Sequence, residues 1–432
     1  MKKLENREIS RQVYVLGLWH QGLVASAVLS SYYNLRAIVR NSDELSLLKR
    51  FNLPINEPGL ETLIQLNSNE GRLTFTEKSE WDNFEDCVVL IAHDLETDSL
   101  GNVDMRNFMD DFDWVIARVG PTSKILITSQ VPVGTFKILE NLYKHLNISF
   151  GDVVSVMPEN LRLGNALERF KSPQLPVIGC SKTSSFFWEL FFNFTDASYK
   201  FCSQTQAELL KHCLNSFLAM TIAFGNEIDR VAQSFGIVGN QVLNLLKSEP
   251  RVGTKTPMKP GLPFFGGTLL RDLQSLSNFS RLAKVDLPLI DAIIESNEAQ
   301  KTFILSVVDA FFSKFSIKSD SGLCLLGLTY TQDTSTLRDS PGLWLAKSLG
   351  EKYKNIFLVD PRVKSQTDLG FTKLELDDLE KETIAAFIVV QSWNGFDSVL
   401  SAIGDRPILD LQGFIKKDDI NLPSNYHYCF GD

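Results

Sequence analysis

The sequence predicts an α/β protein with two doubly wound parallel sheets, one towards each end of the chain, joined by a long central helix and a helical region. Three observations predict it. Short apolar runs alternate with helically spaced segments at both ends. A strand that stops at a glycine and turns into a helix opens each end, in QVYVLGLWHQGL and again in GLCLLGLTY. Between them, TQAELLKHCLNSFLAMTIAFGNEIDRVAQSF has no proline, one glycine, and apolar residues at helical spacing almost all round.

In chain order, the first strand ends at Gly17 and a helix-compatible pattern follows Gly22. LRAIV, CVVLIA, WVIARV, KILITS and VVSVM read as further strands. The segment 205–235 predicts a helix of about 30 residues, roughly 45 Å long at 1.5 Å per residue. So long an apolar helix needs partners on several faces, such as both flanking domains or a second subunit. A loop rich in glycine and proline spans 250–267, and helical spacing resumes from about Leu269 to Phe315. NIFLVD, AAFIVV and PILDL supply the later strands.

A chain of 432 residues predicts two or three domains. With 44% hydrophobic and 22% charged residues, the composition is that of a globular protein with large cores. No run approaches the roughly 20 apolar residues needed to span a bilayer. No apolar segment of signal-peptide kind follows MKKLENREISRQ. The expectation is a cytoplasmic protein with no membrane partner. A net charge of −9 argues against a nucleic-acid partner while leaving room for an anionic small ligand. Cys87, Cys180, Cys202, Cys213, Cys324 and Cys429 show no metal-ligand spacing and read as small buried residues.

The turn Gly17-Leu18-Trp19-His20-Gln21-Gly22 invites comparison with a dinucleotide-binding turn. Such a turn needs one glycine to turn tightly, a second to let the backbone approach the pyrophosphate, and a third for helix–strand packing. Gly17 and Gly22 match the first and third, whereas Trp19 holds the second place and its Cβ threatens the phosphate approach. The helix N-terminus still favours an anion, and His20 or backbone N–H groups are candidate donors. The alternative is a strand–helix turn that binds nothing. After LRAIV the chain offers Arg40, with Asp43 further on, where a carboxylate would bind the adenosine ribose. An arginine there suits a 2′-phosphate and hints at NADP. The alternative is a solvated surface charge.

Ordered segments then carry a specific resemblance. They are LPINEPGLETLI, Ser129-Gln130-Val131-Pro132-Val133-Gly134-Thr135, and Pro158-Glu159-Asn160-Leu161-Arg162-Leu163-Gly164-Asn165-Ala166. Ala207-Glu208-Leu209-Leu210-Lys211 with Asn215 follows, then Pro250-Arg251-Val252-Gly253 and Phe264-Phe265-Gly266-Gly267-Thr268-Leu269-Leu270-Arg271-Asp272. Last come Gly327-Leu328-Thr329-Tyr330, Asp333-Thr334, Arg338-Asp339-Ser340-Pro341 and Asp360-Pro361. Over nearly the whole chain this resembles the UDP-glucose/GDP-mannose dehydrogenases. The resemblance implies an NAD(P)-binding Rossmann-like domain over 1–200, a central helical dimerisation domain over 201–315, and a nucleotide-sugar-binding Rossmann-like domain over 316–432.

Enzymes of that family oxidise C6 of a nucleotide sugar to a carboxylate in two NAD-dependent steps. The first needs a base and a hydride acceptor; the second needs a thiol to hold the aldehyde, then an activated water and oxyanion donors. By resemblance, Glu159, Lys211, Asn215 and Asp272 stand at acid/base and oxyanion positions. Lys211 and Asn215 are four residues apart on one helix and share a face; the plainer alternative for Lys211 and Glu208 is a solvated helix pair. Gly17, Trp19, His20, Gly22, Arg40 and Gln130 are the candidate cofactor contacts, for NAD or NADP. Arg162, Arg251, Phe264, Phe265, Gly266 and Arg338 are the candidate substrate contacts, with core packing the alternative for the two phenylalanines.

The departures define the functional expectation. Thr268 stands where the family has its nucleophilic cysteine, and a threonine without an adjacent base is a weak nucleophile. Gln130 replaces a threonine, Leu163 a glutamate, Thr331 a lysine and Gln412 an arginine. The expected function is an NAD(P)-dependent nucleotide-sugar oxidoreductase with altered chemistry. The alternative is a non-catalytic nucleotide-sugar or dinucleotide binding protein, or a partner subunit, of the same fold. A homodimer through the long helix is expected in either case.

Overall fold

The computed structural model describes residues 11–81, 86–98, 101–146, 148–265, 268–330, 332, 337, 339–363, 369–379, 383–396, 399, 403–415 and 426–428. The chain divides into two compact units, Met1–Cys213 and Leu214–Asp432.

The first unit is built on strands β1 (Val13–Leu16), β2 (Leu35–Val39), β3 (Leu73–Glu77), β4 (Val88–Ile91), β5 (Lys124–Ile127), β6 (Val154–Val156), β7 (Val177–Gly179) and β8 (Lys200–Cys202). Their order is β3-β2-β1-β4-β5-β6-β7-β8, parallel except where Val156 of β6 meets Gly179 of β7. The chain runs outward from β1 to β3 and returns to β4 beside β1. That reversal opens a crevice at the carboxyl ends of the strands, where ligands of such sheets bind. Alternation along β1 builds two cores: Val13 and Val15 pack into one, Tyr14 and Leu16 into the other. The helix His20–Leu29 is buried from Gly22 onward, as its almost uniformly apolar sequence demands.

WVIARV is not a strand. Trp114, Val115 and Ile116 close the helix Arg106–Ile116, in which Phe108, Phe112, Val115 and Ile116 form one buried stripe. A short apolar run at a helix end carries no period of its own, which is why it reads as strand in isolation. The strands β3, β7 and β8 were not among those expected.

In the second unit, β9 (Gly322–Leu326), β10 (Asn355–Val359), β11 (Thr372–Lys373), β12 (Ile384–Val389), β13 (Ile408–Asp410) and β14 (Tyr426–Tyr428) form an all-parallel sheet. Its order, β11-β10-β9-β12-β13-β14, repeats that of β1 to β6. Gly327 repeats Gly17 in having a positive φ, and a Cβ on Gly342 would lie 2.5 Å from the Gly327 carbonyl oxygen. The long helix spans Gln204–Ser234 and runs across the boundary of the two units. The helical stretch from Leu269 is two helices, Leu269–Ala283 and Pro288–Lys314, separated at Lys284, whose backbone is left-handed. No described helix is long and apolar enough to cross a membrane.

Candidate functional site

Gly17 has φ +86°, and a Cβ there would lie 2.6 Å from the backbone of Ala92 and His93. A Cβ on Gly22 would lie 2.1 Å from the Gly17 carbonyl oxygen. Both glycines are therefore required by the approach of helix to strand, whatever binds outside. Trp19 precedes the helix His20–Leu29, which has no side-chain cap and no carboxylate in its first turn. Its positive end is left uncapped and unneutralised, as an anion site requires. The Trp19 side chain is 44% exposed. Sheet order, turn and uncapped helix all fit a dinucleotide; Trp19 is the departure. His20 has a partner that spacing did not reveal: its Nε2 lies 3.2 Å from Glu57 Oε2. Buried Glu57 also accepts the N–H groups of Gly164 and Ala166 at 3.0 and 2.8 Å.

Arg40 leaves the end of β2 and places Nη2 3.4 Å from His93 Nδ1. His93, just past β4, sets Nε2 2.6 Å from Asp111 Oδ2. Lys78, just past β3, forms an ion pair with the other Asp111 oxygen. Arginine only donates and a carboxylate only accepts, so a neutral ring with hydrogen on Nε2 satisfies both of His93's contacts. Burial pushes the Asp111 carboxyl up, but hydrogen bonds and charge from His93 and Lys78 prevail and hold it below its ordinary value. Neither His93, which meets Arg40, nor Asp111 and Lys78 behind it was singled out from sequence.

Beyond the carboxyl ends of β5 and β6 a cleft is lined by Gln21, Thr128, Glu159, Asn160, Phe170 and Tyr199 among others. Gln21 Nε2 donates to Glu159 Oε2 at 3.1 Å, and the Thr128 hydroxyl donates to Gln21 Oε1 at 2.7 Å. An adjoining cleft adds Gln130, Glu208 and Lys211 to the lining. Lys211 and Glu208 are both buried, so they are not a solvated helix pair. Lys211 Nζ donates to Asn160 Oδ1 at 3.4 Å. Glu208 accepts the N–H groups of Gly134 and Phe136 at 2.7 and 2.6 Å, capping the helix Thr135–Leu142. Arg162 is exposed.

In the second unit Asn215 Nδ2 donates to Asp272 Oδ2. Asp272 is fully buried in the first turn of the helix Leu269–Ala283. Thr268 is the residue before that helix and is exposed, with no side-chain cap. Phe264 is buried against Ala219, Ala223, Leu273 and Ile293, while Phe265 is half-buried and meets the Trp344 ring at 5.2 Å. Asn297 holds both the N–H and the carbonyl of Phe264, at 2.9 and 3.1 Å. Arg251 lies on the surface, paired with Glu249 at 2.8 Å. Gly266, Arg338 and Thr331 lie outside the described residues. Lys259 Nζ donates to the Gln412 carbonyl at 3.1 Å. Burial raises the thiol pKa of every described cysteine: Cys87 and Cys180 to about 11, with Cys202, Cys213 and Cys324 also upward.

Comparison with known proteins follows the same division. Residues 11–193 match the family model of the UDP-glucose/GDP-mannose dehydrogenase family, NAD binding domain. Residues 205–299 match that family's central domain and residues 324–417 its UDP binding domain. The chain is 27% identical to a UDP-glucose 6-dehydrogenase of Rickettsia bellii, covering 96% of this chain and 98% of that one. It is 24% identical to a GDP-mannose 6-dehydrogenase of Pseudomonas aeruginosa, over 94% of this chain and 97% of the other. Its fold matches the structure of a UDP-glucose dehydrogenase from Pyrobaculum islandicum with a TM-score of 0.82 at 23% identity, covering 96% of this chain and 97% of that one.

Proposed function

The chain belongs to the UDP-glucose/GDP-mannose dehydrogenase family, and from that premise we propose an NAD(P)-dependent oxidoreductase that takes a nucleotide-linked sugar alcohol through one hydride transfer only. The observation that carries this reading is Thr268 beside a retained pair. Asn215 and buried Asp272 remain bonded to each other, yet the residue four before Asp272 is an exposed threonine. A thioester requires a thiolate. Burial raises the thiol pKa of Cys87 and Cys180 to about 11 and moves those of Cys202, Cys213 and Cys324 the same way, which disfavours the thiolate at each.

In this reading the bound nicotinamide supplies the hydride acceptor. Lys211, buried and held by Asn160, stabilises the developing alkoxide once the hydroxyl proton has left. Glu159, oriented by Gln21, handles that proton. By the family resemblance, Arg162, Arg251, Phe264, Phe265, Gly266 and Arg338 are the proposed substrate contacts. The domain limits 1–200, 201–315 and 316–432 belong to the same proposal. So does a homodimer, supported by Phe217, Phe224 and Val231, which recur every seventh residue on the long helix and are all exposed.

The test is stoichiometry. Purified protein is incubated with UDP-glucose or GDP-mannose and either dinucleotide, and reduced cofactor, trapped aldehyde and uronate are counted. One reduced cofactor per sugar with aldehyde is expected; two with uronate would refute the proposal. A second reading, a binding protein without turnover, is favoured by Trp19 at the pyrophosphate turn and by the apolar Leu163. Ligand-dependent stabilisation of the fold without turnover would select it.

A further inference from the structure

We propose that Arg40 makes the dinucleotide site of this chain selective for a 2′-phosphate, so that it takes NADP in preference to NAD. The inference rests on the cofactor reading above and deepens it.

In a sheet of this order the residue that ends β2 meets the adenosine ribose. A carboxylate there binds the 2′- and 3′-hydroxyls, and an arginine there accommodates a 2′-phosphate. Here the residue is Arg40. The acidic groups that follow it do not restore a ribose site. Glu44 is turned back onto the chain: its Oε2 accepts the Arg40 N–H at 2.8 Å, and its own N–H donates to Asn41 Oδ1 at 2.9 Å. Asn41 thus caps the helix Ser42–Lys49 while Glu44 reaches back to the residue before the cap, so both side chains are committed locally. Asp43, in the first turn of the same helix, is exposed.

Arg40 is also more than a solvated charge. Its guanidinium is held at His93 Nδ1, and His93 is fixed in turn by Asp111 on the helix Arg106–Ile116. That relay orients a side chain that would otherwise sample many rotamers. The register of the sheet brings Lys78 alongside. Val39 pairs with Glu77, so the next residues, Arg40 and Lys78, leave neighbouring strands side by side. Lys78 is paired with Asp111 and Glu44 accepts only the Arg40 backbone N–H, so the charge presented at the end of β2 is that of the Arg40 guanidinium. A phosphate dianion gains from that charge and from the guanidinium fork; a ribose diol gains from neither.

The test is a binding titration by calorimetry of the full chain with 2′,5′-ADP, 5′-AMP, NADP⁺ and NAD⁺. We expect each 2′-phosphorylated ligand to bind at least about tenfold more tightly than its partner, with the preference shrinking as salt rises. Arg40→Ala should abolish the preference, and Arg40→Asp should turn it towards NAD⁺. Because the Arg40 side chain is exposed, both variants should melt with the parent. Equal or tighter binding of NAD⁺ by the parent, or an unchanged preference in Arg40→Ala, overturns the inference and leaves the cofactor reading standing. No binding by any of the four ligands overturns the cofactor reading, and the inference with it.

Discussion

The side-chain amide of Gln21 donates to Glu159 Oε2 at 3.1 Å, tying the first turn of the helix after β1 to the segment after β6. With the Thr128 hydroxyl on its carbonyl oxygen, Gln21 has its amide fixed at both ends and so fixes the carboxylate. A hydrogen bond to a charged group is worth about 1.5 kcal/mol, or about tenfold in rate if it acts only on the reacting geometry. Gln21→Leu is therefore expected to lower kcat/KM for the nucleotide sugar about tenfold, with dinucleotide affinity nearly unchanged. Steady-state kinetics beside a cofactor titration checks this. A fall in melting temperature with unaltered kcat/KM would make Gln21 a packing residue instead.

Thr268→Cys is expected not to confer uronate formation. Introducing the thiol leaves Gln130 and Leu163 in place of the threonine and glutamate that the family resemblance implies. Without those two polar groups, Glu159, Lys211, Asn215 and Asp272 are expected not to complete the hydrolytic half of the reaction. Product analysis by mass spectrometry, with reduced cofactor counted per sugar, is the measurement. Uronate from the single substitution would mean that the cysteine alone separates this chain from the two-step chemistry.

Much of this architecture was legible because glycines bound its buried strands. β1 and β4 are continuous apolar runs, and β2 and β5 are broken only by Arg36 and Lys124, as strands covered on both faces should be. β7, β8, β11 and β14 are two or three residues long and carry no period to read. The site was less legible. Glu159, Lys211 and Asp272 emerge only from the resemblance. Gln21 lies 138 residues from Glu159, and His93 lies 18 from Asp111. No local spacing rule reaches such pairs, which depend on which strands become neighbours in the folded sheet.

Asp111 should make stability pH-dependent in one direction. Burial raises its pKa, while His93 and Lys78 lower it further than burial raises it, leaving the folded value below 3.8. A depressed folded pKa contributes stability that is complete above the unfolded value and is lost as pH falls towards the folded one. Asp111→Asn is expected to cost about 1–3 kcal/mol near neutrality, since the amide keeps an acceptor for His93 but leaves Lys78 without a counter-charge. The gap between parent and variant should hold down to about pH 4 and narrow below it. Urea unfolding across that range checks it; a gap that stays constant through the acid limb would place the effect in shape rather than charge.

The long helix carries the last prediction. Phe217, Phe224 and Val231 are 53%, 44% and 56% exposed, and a spacing of seven keeps them on one stripe of the helix. Large apolar side chains in register are an unfavourable surface for a monomer. In a two-fold pair the stripe would meet its own copy, because a two-fold interface presents the same patch on both subunits. The parent is expected to sediment as a dimer at micromolar concentration. The double substitution Phe217→Glu with Phe224→Glu should yield a folded monomer. It places like charges opposite one another across the axis, where burial makes each more costly, and it removes little packing within a single chain. A parent that sediments as a monomer would refute the dimer. A double variant that remains dimeric would move the contact to another face.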